Sequence, residues 1–550
     1  MPVSDIEAFS NKVSARGEGR NAPVLMIQGT ASDVGKSLVV AALCRIFKMR
    51  GWRVAPFKAQ NMALNSAVTS EGHEIGRAQA MQAVAAGVLP HVDMNPILLK
   101  PEGELRSQLV VLGTSRGVMS FSAYRARHDE LAEVVLRSLD RLRRRVDLVV
   151  AEGAGSPAEI NLRDGDLVNM FVAKAAQATV LLVGDIDRGG VFASLLGTLK
   201  LLSPDERALV QGLIVNKFRG DPALFETGIG YLEKSSELPV LGVLPYLPSV
   251  GVAEEDSVAL ERRRDRPRAP LDEIEIAVVR LPHLSNYDDV QPLEAEPGVL
   301  VRFVDNPRDL FGADLILLPG SKKTVADLAW LRATGFADAF SRVSRELPII
   351  GICGGCQMLG EVLEDPEGVE SAAGSYEGLG LLPLRTRFGP VKRTTQVIAT
   401  PLQSVPWMTP ELQDEQLHAY EIHHGRSTRL RGPAAFCLLQ RHGTSMHLPE
   451  GSVQGRVVGT MLHGFFDESW FRGALLHWLS QIKGASLGAG RVSASNLRSG
   501  GTNASDRPAP KRSELGMHSD PGMRSDPYDD LARSFGASLD IQRIEAMVER

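Results

Sequence analysis

The sequence predicts an α/β protein made of two doubly wound parallel-sheet units in tandem, on three observations. Short, unbroken apolar runs alternate with longer stretches of helical spacing, as strands buried on both faces and joined by crossover helices require. Gly-containing turns follow the runs, the rhythm of repeated βαβ units. The pattern is interrupted once, by the charge-rich, proline-ended EEDSVALERRRDRPRAP (254–270), and then restarts.

Taken in order, residues 1–21 form an N-terminal extension with no apolar core of signal-peptide length. The first unit, 22–253, holds VLMIQG (24–29), VDLVVAEG (146–153), ATVLLVGD (178–185) and LVQGLIVNK (209–217) as buried parallel strands. Residues 254–272 read as a linker. The second unit, 273–484, holds IEIAVVRLP (274–282), ADLILLPGS (313–321), LPIIGICGG (347–355) and VVGTMLHG (457–464). The stretch 485–527 is rich in Ser, Gly, Pro and Arg and duplicates MHSDP (517–521) as MRSDP (523–527). Such a segment buries too little apolar surface to offset its ordering entropy, so disorder is expected. In 528–550, Leu531, Phe535, Ile541, Ile544, Met547 and Val548 have partial helical spacing, which predicts a C-terminal helix docked on the second unit.

Composition narrows the function. The 550 residues are 43% hydrophobic and 23% charged, the balance of a globular protein. Lys and Arg total 61 against 66 for Asp and Glu, a net charge of −5, which creates no overall field to attract nucleic acid. Four cysteines, Cys44, Cys353, Cys356 and Cys437, are too few for a disulfide framework and suit a reducing cytoplasm. No run of about 18 apolar residues exists to span a membrane.

The first chemical signal follows the opening strand. Gly29 to Ser37 reads GTASDVGKS and leads into the helical LVVAALCRIFKMRG. A Gly-rich turn between strand and helix aims backbone N–H groups and the helix dipole at an anion. Gly29, Thr30 and Gly35 shape the loop, Lys36 reaches nucleotide phosphates, and the Ser37 hydroxyl suits magnesium. The spacing is one residue longer than the common phosphate-loop pattern, counted from Gly29. Glu152 ends the next apolar strand, where open α/β sheets bind ligands, and is a second candidate for magnesium or, alternatively, a helix cap. Asp185, with Asp187 and Arg188 nearby, ends another strand as a candidate for substrate or metal. Asn216 ends a fourth, as a candidate reader of an adenine edge.

The second signal is LPIIGICGGCQMLGEVL, a strand, a sharp turn and a helix with Cys353 at the tip. A thiol there is exposed and faces a helix N-terminus, which favours thiolate. His463, in GTMLHGFFD, is the candidate base. Gly320 and Ser321, in LPGSKKT, join Gly354 as candidate oxyanion donors. Cys356 falls within the first helical turn, a packing position. A redox pair of Cys353 with Cys356 is the rival reading, but it leaves His463 and the PGS loop without a role.

These residues resemble two known modules. Gly351 to Gln357, GICGGCQ, matches the G-x-C-x-G-x-Q signature of class I glutamine amidotransferases, and GTASDVGKS resembles the phosphate loop of dethiobiotin synthetase and related amidoligases. Their order is that of the cobalamin-pathway amidotransferases. FKAQNMALNS (57–66), EIGRAQAMQA (74–83), MNPILLKP (94–101), GDIDRGGVFAS (185–194), NKFRGD (216–221) and LPHLSNYDD (281–289) resemble the cobyric acid synthase family in particular. The resemblance, over roughly 22–484, implies a dethiobiotin synthetase-like first unit and a class I amidotransferase-like second unit. It also implies ATP- and glutamine-dependent amidation of the b, d, e and g carboxylates of adenosylcobyrinic acid a,c-diamide, with magnesium as cofactor. On that reading Lys58, Gln60, Asn61 and Asp185 meet the corrinoid or the γ-phosphate, Gln357 lies in the glutamine site, and ammonia follows a sheltered path between units. Lys58 has a surface ion pair as its other reading. The acid that follows the histidine in the H-x-E of class I enzymes is replaced here by Phe465, leaving Asp467 and Glu468 as candidates for orienting His463. A cobyrinic acid a,c-diamide synthase and a partition-type switch ATPase are the alternative readings.

Overall fold

The computed structural model describes residues 21–102, 106–247, 268–270, 273–495 and 526–549. Most of the predicted 254–272 linker and residues 496–525 lie outside the described residues.

The first unit is a six-stranded sheet. Its elements, in chain order, are β1 (Val24–Gly29), α1 (Lys36–Met49), β2 (Val54–Phe57), α2 (Arg77–Ala86), β3 (Ile97–Pro101), β4 (Leu148–Glu152), β5 (Thr179–Asp185), β6 (Val210–Phe218) and β7 (Val240–Pro245). β3 belongs to a small side sheet; the others run β7-β6-β5-β1-β4-β2, every neighbouring pair parallel. Strand β1 shows why the apolar runs lack alternation: Leu25 and Ile27 pack in one core cluster, Val24 and Met26 in another. Both faces are covered, so both sets are apolar. From β1 the chain runs to the edge at β2, returns through β4 and crosses to β5. The crevice beyond the carboxyl ends of β4, β1 and β5 is therefore a topological switch point, where such sheets bind ligands.

The second unit repeats the plan with β8 (Ile274–Val279), β9 (Val299–Val304), β10 (Leu315–Leu318), β11 (Ile349–Ile352), α3 (Gly354–Leu359), β12 (Leu417–His423), β13 (Ser452–Gln454), β14 (Val457–Thr460) and β15 (Leu462–His463). The sheet order is β9-β8-β10-β11-β14-β13, parallel except for edge strand β13. β12 and β15 pair in a separate five-stranded sheet that sets Tyr420 opposite His463.

Two expectations for the C-terminal region change. Helix α4 (Ser469–Ser495) continues into the stretch expected to be disordered from 485. The terminal stretch forms two helices, α5 (Pro527–Gly536) and α6 (Ile541–Val548), which dock on the first unit. Leu531, Phe535 and Ile544 share a core cluster with Val39, Leu43 and Phe47 of α1. Arg45 of α1 pairs with Asp526 and, at 2.6 Å, with Asp529, while Trp52 Nε1 donates to Glu545 at 3.0 Å. The apolar stripe identified helices; the acceptor surface was set by α1, whose outer face needs covering and carries the matching cation.

Candidate active site

At the carboxyl end of β1 the loop closes around Gly35, which precedes α1 with φ 92°. A Cβ at this glycine would lie 2.2 Å from Asn216 Nδ2, so both the backbone conformation and the close approach require glycine. Asn216 is buried, and its amide donates to Val34 O at 2.8 Å. Through this bond the side chain braces the loop from β6. The Thr30 N–H donates to Val183 O at 2.9 Å and pins the loop to β5. Lys36 Nζ crosses the loop mouth to Ala31 O (2.9 Å) and Gly155 O (3.2 Å).

Glu152, at the end of β4, is the centre of this site. Its carboxylate accepts from Ser37 Oγ (2.8 Å), Lys58 Nζ (2.9 Å) and Gln82 Nε2 (2.7 Å). Burial opposes its charge, but Lys58 and the bonds from Gln82 and Ser37 hold the carboxyl below its usual range. Lys58 is thus a buried partner of Glu152, not a surface ion pair. The Ser37 hydroxyl and the Glu152 carboxylate, adjacent hard oxygen ligands beside a phosphate loop, fit magnesium. Asp185 accepts from the Asp187 N–H at 2.8 Å and lies 3.0 Å from Lys217 Nζ, at the crevice rim. Gln60 accepts from the Tyr124 hydroxyl. Asn61 is buried and donates to Gln79 at 3.0 Å beside Asn95, inside an amide cluster that supports α2.

In the second unit, three strand ends converge. β11 leads directly into Cys353, whose φ of 51° marks a strained turn for a non-glycine residue. Its N–H donates to Thr460 O at 2.8 Å, tying the turn to β14. A Cβ at Gly355 would sit 1.9 Å from Leu318 O, and one at Gly354 would sit 2.7 Å from Ser321 N. The elbow therefore packs directly on the loop after β10, and Gly320, Ser321, Cys353, Gln357 and His463 line one pocket. The Gln357 amide accepts from Thr324 Oγ1 at 3.3 Å, and its Nε2 has no hydrogen-bond partner. Cys356 is fully buried, and burial pushes its thiol well above the usual range, as in a packed core cysteine.

His463 is 1% exposed. Its Nδ1 lies 2.6 Å from Asp289 Oδ2, and the Gly464 N–H donates to Asp289 Oδ1 at 2.9 Å. Burial works against charge on the ring, but Asp289 and the neighbouring Cys353 overcome it and push its pKa up to about 10. Tyr420 stacks on the imidazole at 5.2 Å, and Nε2 is left without a hydrogen-bond partner. This corrects both candidates for the orienting acid: Asp467 lies 3.6 Å from Arg77, and Glu468 pairs with His418 at 3.0 Å. Asp289 was missed because it stands 174 residues before the histidine, in LPHLSNYDD.

The pocket is completed across the seam. Lys100, from β3, lines it and donates to Glu74 at 2.7 Å and Ser66 at 2.8 Å, while Lys392 of the second unit donates to Glu74 at 2.6 Å. Burial and the two lysines act oppositely on Glu74, and the lysines hold it well below the usual carboxylate range. Asn286 Oδ1 accepts from Ser66 N (3.3 Å) and Asn65 Oδ1 from Tyr287 N (3.2 Å), joining NMALNS to LSNYDD.

A phosphate loop at the switch point of one unit and a cysteine on a strained turn beside a His–Asp pair in the other define a glutamine amidotransferase joined to a nucleotide-binding unit. Residues 25–259 match the CobQ/CobB/MinD/ParA nucleotide binding domain, and residues 275–471 match the CobB/CobQ-like glutamine amidotransferase domain. The cobyric acid synthase of Sorangium cellulosum is 55% identical over 480 residues, covering 85% of this chain and 92% of that protein. That of Chloroflexus aurantiacus is 52% identical over 465 residues (84% and 92%), and that of Salmonella gallinarum 49% over 464 (84% and 91%). The chain belongs to the cobyric acid synthase family.

Proposed function

We propose that the chain converts the b, d, e and g carboxylates of adenosylcobyrinic acid a,c-diamide to amides, with ATP as the activating reagent and glutamine as nitrogen donor. The reading is supported chiefly by the Cys353–His463–Asp289 pocket, which is walled on one side by Lys100 of the nucleotide-binding unit. A carboxylate is a poor electrophile, so the first unit must give it a leaving group. Lys36 and the loop amides hold the β- and γ-phosphates. Ser37 and Glu152 would hold Mg2+, which when bound offsets phosphate charge. Lys58, anchored on Glu152, directs the attacking carboxylate at the γ-phosphoryl group, with Gln60 and Asp185 at the rim for the corrinoid.

In the second unit the Cys353 thiolate attacks the side-chain amide carbon of glutamine and forms a C–S bond. The backbone N–H groups of Ser321 and Gly354 steady the oxyanion. His463, held by Asp289, gives its Nε2 proton to the departing nitrogen, and the C–N bond breaks to release ammonia. The imidazole then takes a proton from water, which hydrolyses the glutamyl thioester to glutamate and restores the thiol. Ammonia crosses the seam near Lys100 and Ser66, sheltered from bulk water, and displaces phosphate from the acyl phosphate. The four free cysteines suit a cytoplasmic enzyme.

Mass spectrometry of the corrinoid product is the test. Four carboxyl-to-amide conversions support the reading. Two would make the chain an a,c-diamide synthase, and nucleotide hydrolysis without amidation would make it a switch ATPase.

A further inference from the structure

Helix α2 touches both chemical sites. At position 82 the Gln82 amide, 1% exposed, donates to Glu152 Oε2 at 2.7 Å and to Ser37 O at 3.2 Å. At position 77, its first residue, Arg77 crosses the seam and places Nε 2.9 Å from Asp288 Oδ2. Asp288 is 2% exposed and adjoins Asp289, the carboxylate that holds His463. Five residues at 1.5 Å rise separate the two side chains by roughly 7.5 Å along one rigid element. The start of the helix is fixed by the Arg77 N–H on Asn65 O (3.3 Å) and by Gly76 N on Asn95 Oδ1 (3.1 Å).

We propose that α2 transmits occupancy of the nucleotide site to the glutamine site, with Gln82 sensing Ser37 and Glu152 and with Arg77 positioning the Asp288–Asp289 corner that aligns His463 on Cys353. The proposal rests on the nucleotide and glutaminase roles argued above. Its logic is a difference of contacts between two states, which any coupling requires. Glu152 is held by Ser37, Lys58 and Gln82 together. Recruiting Ser37 and Glu152 to a magnesium–nucleotide changes the acceptor that Gln82 holds, and α2 is the element that carries the change. At the other end, Arg77 is the cation paired with Asp288, and a shift of its guanidinium moves the acidic corner under the histidine. Glutamine hydrolysis is thereby tied to a loaded synthetase site, which limits wasted ammonia.

The test reads the thiol without turnover. Alkylation of Cys353 by iodoacetamide is followed by peptide mass spectrometry on the full chain, with and without a non-hydrolysable ATP analogue and Mg2+. The wild type is expected to change its alkylation rate at least threefold with nucleotide. In Gln82→Leu the ratio should fall to about one, with analogue binding confirmed by calorimetry at saturation. Arg77→Met should slow nucleotide-free alkylation and lose the response, and should lower nucleotide-free glutaminase kcat with KM for glutamine nearly unchanged. Arg77→Lys should recover part of both, which a purely structural role would not predict, and thermal unfolding checks that each variant folds. A wild-type rate indifferent to nucleotide overturns the proposal, as does a response that survives in both Gln82→Leu and Arg77→Met. Failure of the functional reading itself would look different: no amidated corrinoid from the wild type, even with ammonia supplied.

Discussion

Asp289→Asn tests the proposed role of the His463–Asp289 pair most sharply, because it alters one charge and almost no shape. The asparagine carbonyl can keep the bond from the Gly464 N–H, now 2.9 Å from Asp289 Oδ1. What is lost is the carboxylate 2.6 Å from His463 Nδ1, in a site where the histidine is 1% exposed. An asparagine amide turned toward Nδ1 also selects the tautomer with its proton on Nε2, which cannot act as base toward Cys353. Breaking a buried ion pair from one side costs about 3–5 kcal/mol. If the thiolate–imidazolium pair bears that whole penalty, glutaminase kcat falls by roughly two to four powers of ten, at about 1.36 kcal/mol per tenfold. The assay is glutamate release at saturating glutamine, beside amidation driven by ammonium chloride at raised pH. The ammonia-driven rate should stay within about twofold of wild type, since Asp289 lies outside the phosphate site. A glutaminase rate within tenfold of wild type would refute the reasoning, as would an equal loss in Asp467→Asn or Glu468→Gln.

Cys353→Ala should remove glutamine-dependent amidation by several orders of magnitude and spare the ammonia-driven rate, whereas Cys356→Ala should do neither; one product assay with both nitrogen sources checks all three statements. Lys36→Ala should abolish amidation from either nitrogen source while corrinoid binding without ATP, read by calorimetry, persists. Because the folded pKa of His463, about 10, lies above its ordinary 6.5, the ion pair contributes stability that is full below pH 6.5 and lost as pH rises through 10. The difference in thermal midpoint between wild type and Asp289→Asn should therefore be largest near pH 6.5 and shrink toward pH 10. Phe535→Ala should cost about 3–5 kcal/mol through the cavity it leaves against α1, measured by urea denaturation of the first unit.

How much of this was legible depends on how locally each feature is encoded. The phosphate loop and the thiol elbow are strand–turn–helix runs, so their residues lie close in sequence as well as in space. Within such a run the direction of a side chain is less readable. Asn216 stands at a strand end beside the nucleotide crevice, yet its amide turns inward, because Gly35 lacks a Cβ and leaves room for it 2.8 Å from Val34 O. Asn61 likewise joins a buried amide cluster whose other members, Gln79 and Asn95, come from later elements. Arg77 and Gln82 stand in EIGRAQAMQA, but nothing in the spacing says that one faces an acid across a seam and the other the end of β4.

The seam also explains why certain short segments carry the family resemblance although they form neither the phosphate loop nor the elbow. NMALNS and LSNYDD have no chemistry of their own that spacing could reveal, yet they bond to each other between units. The second of them ends in Asp288 and Asp289, so the chain that seals the interface also holds the His463 ring. On the first unit, Glu74 sits between Lys100 and Lys392, one lysine from each side. A buried carboxylate facing two cations is costly unless both are present, because removing either partner leaves uncompensated charge. Such a contact is stable only when the units are seated together. It therefore selects the docked arrangement, in which Lys100 of the nucleotide-binding unit lines the same pocket as Cys353.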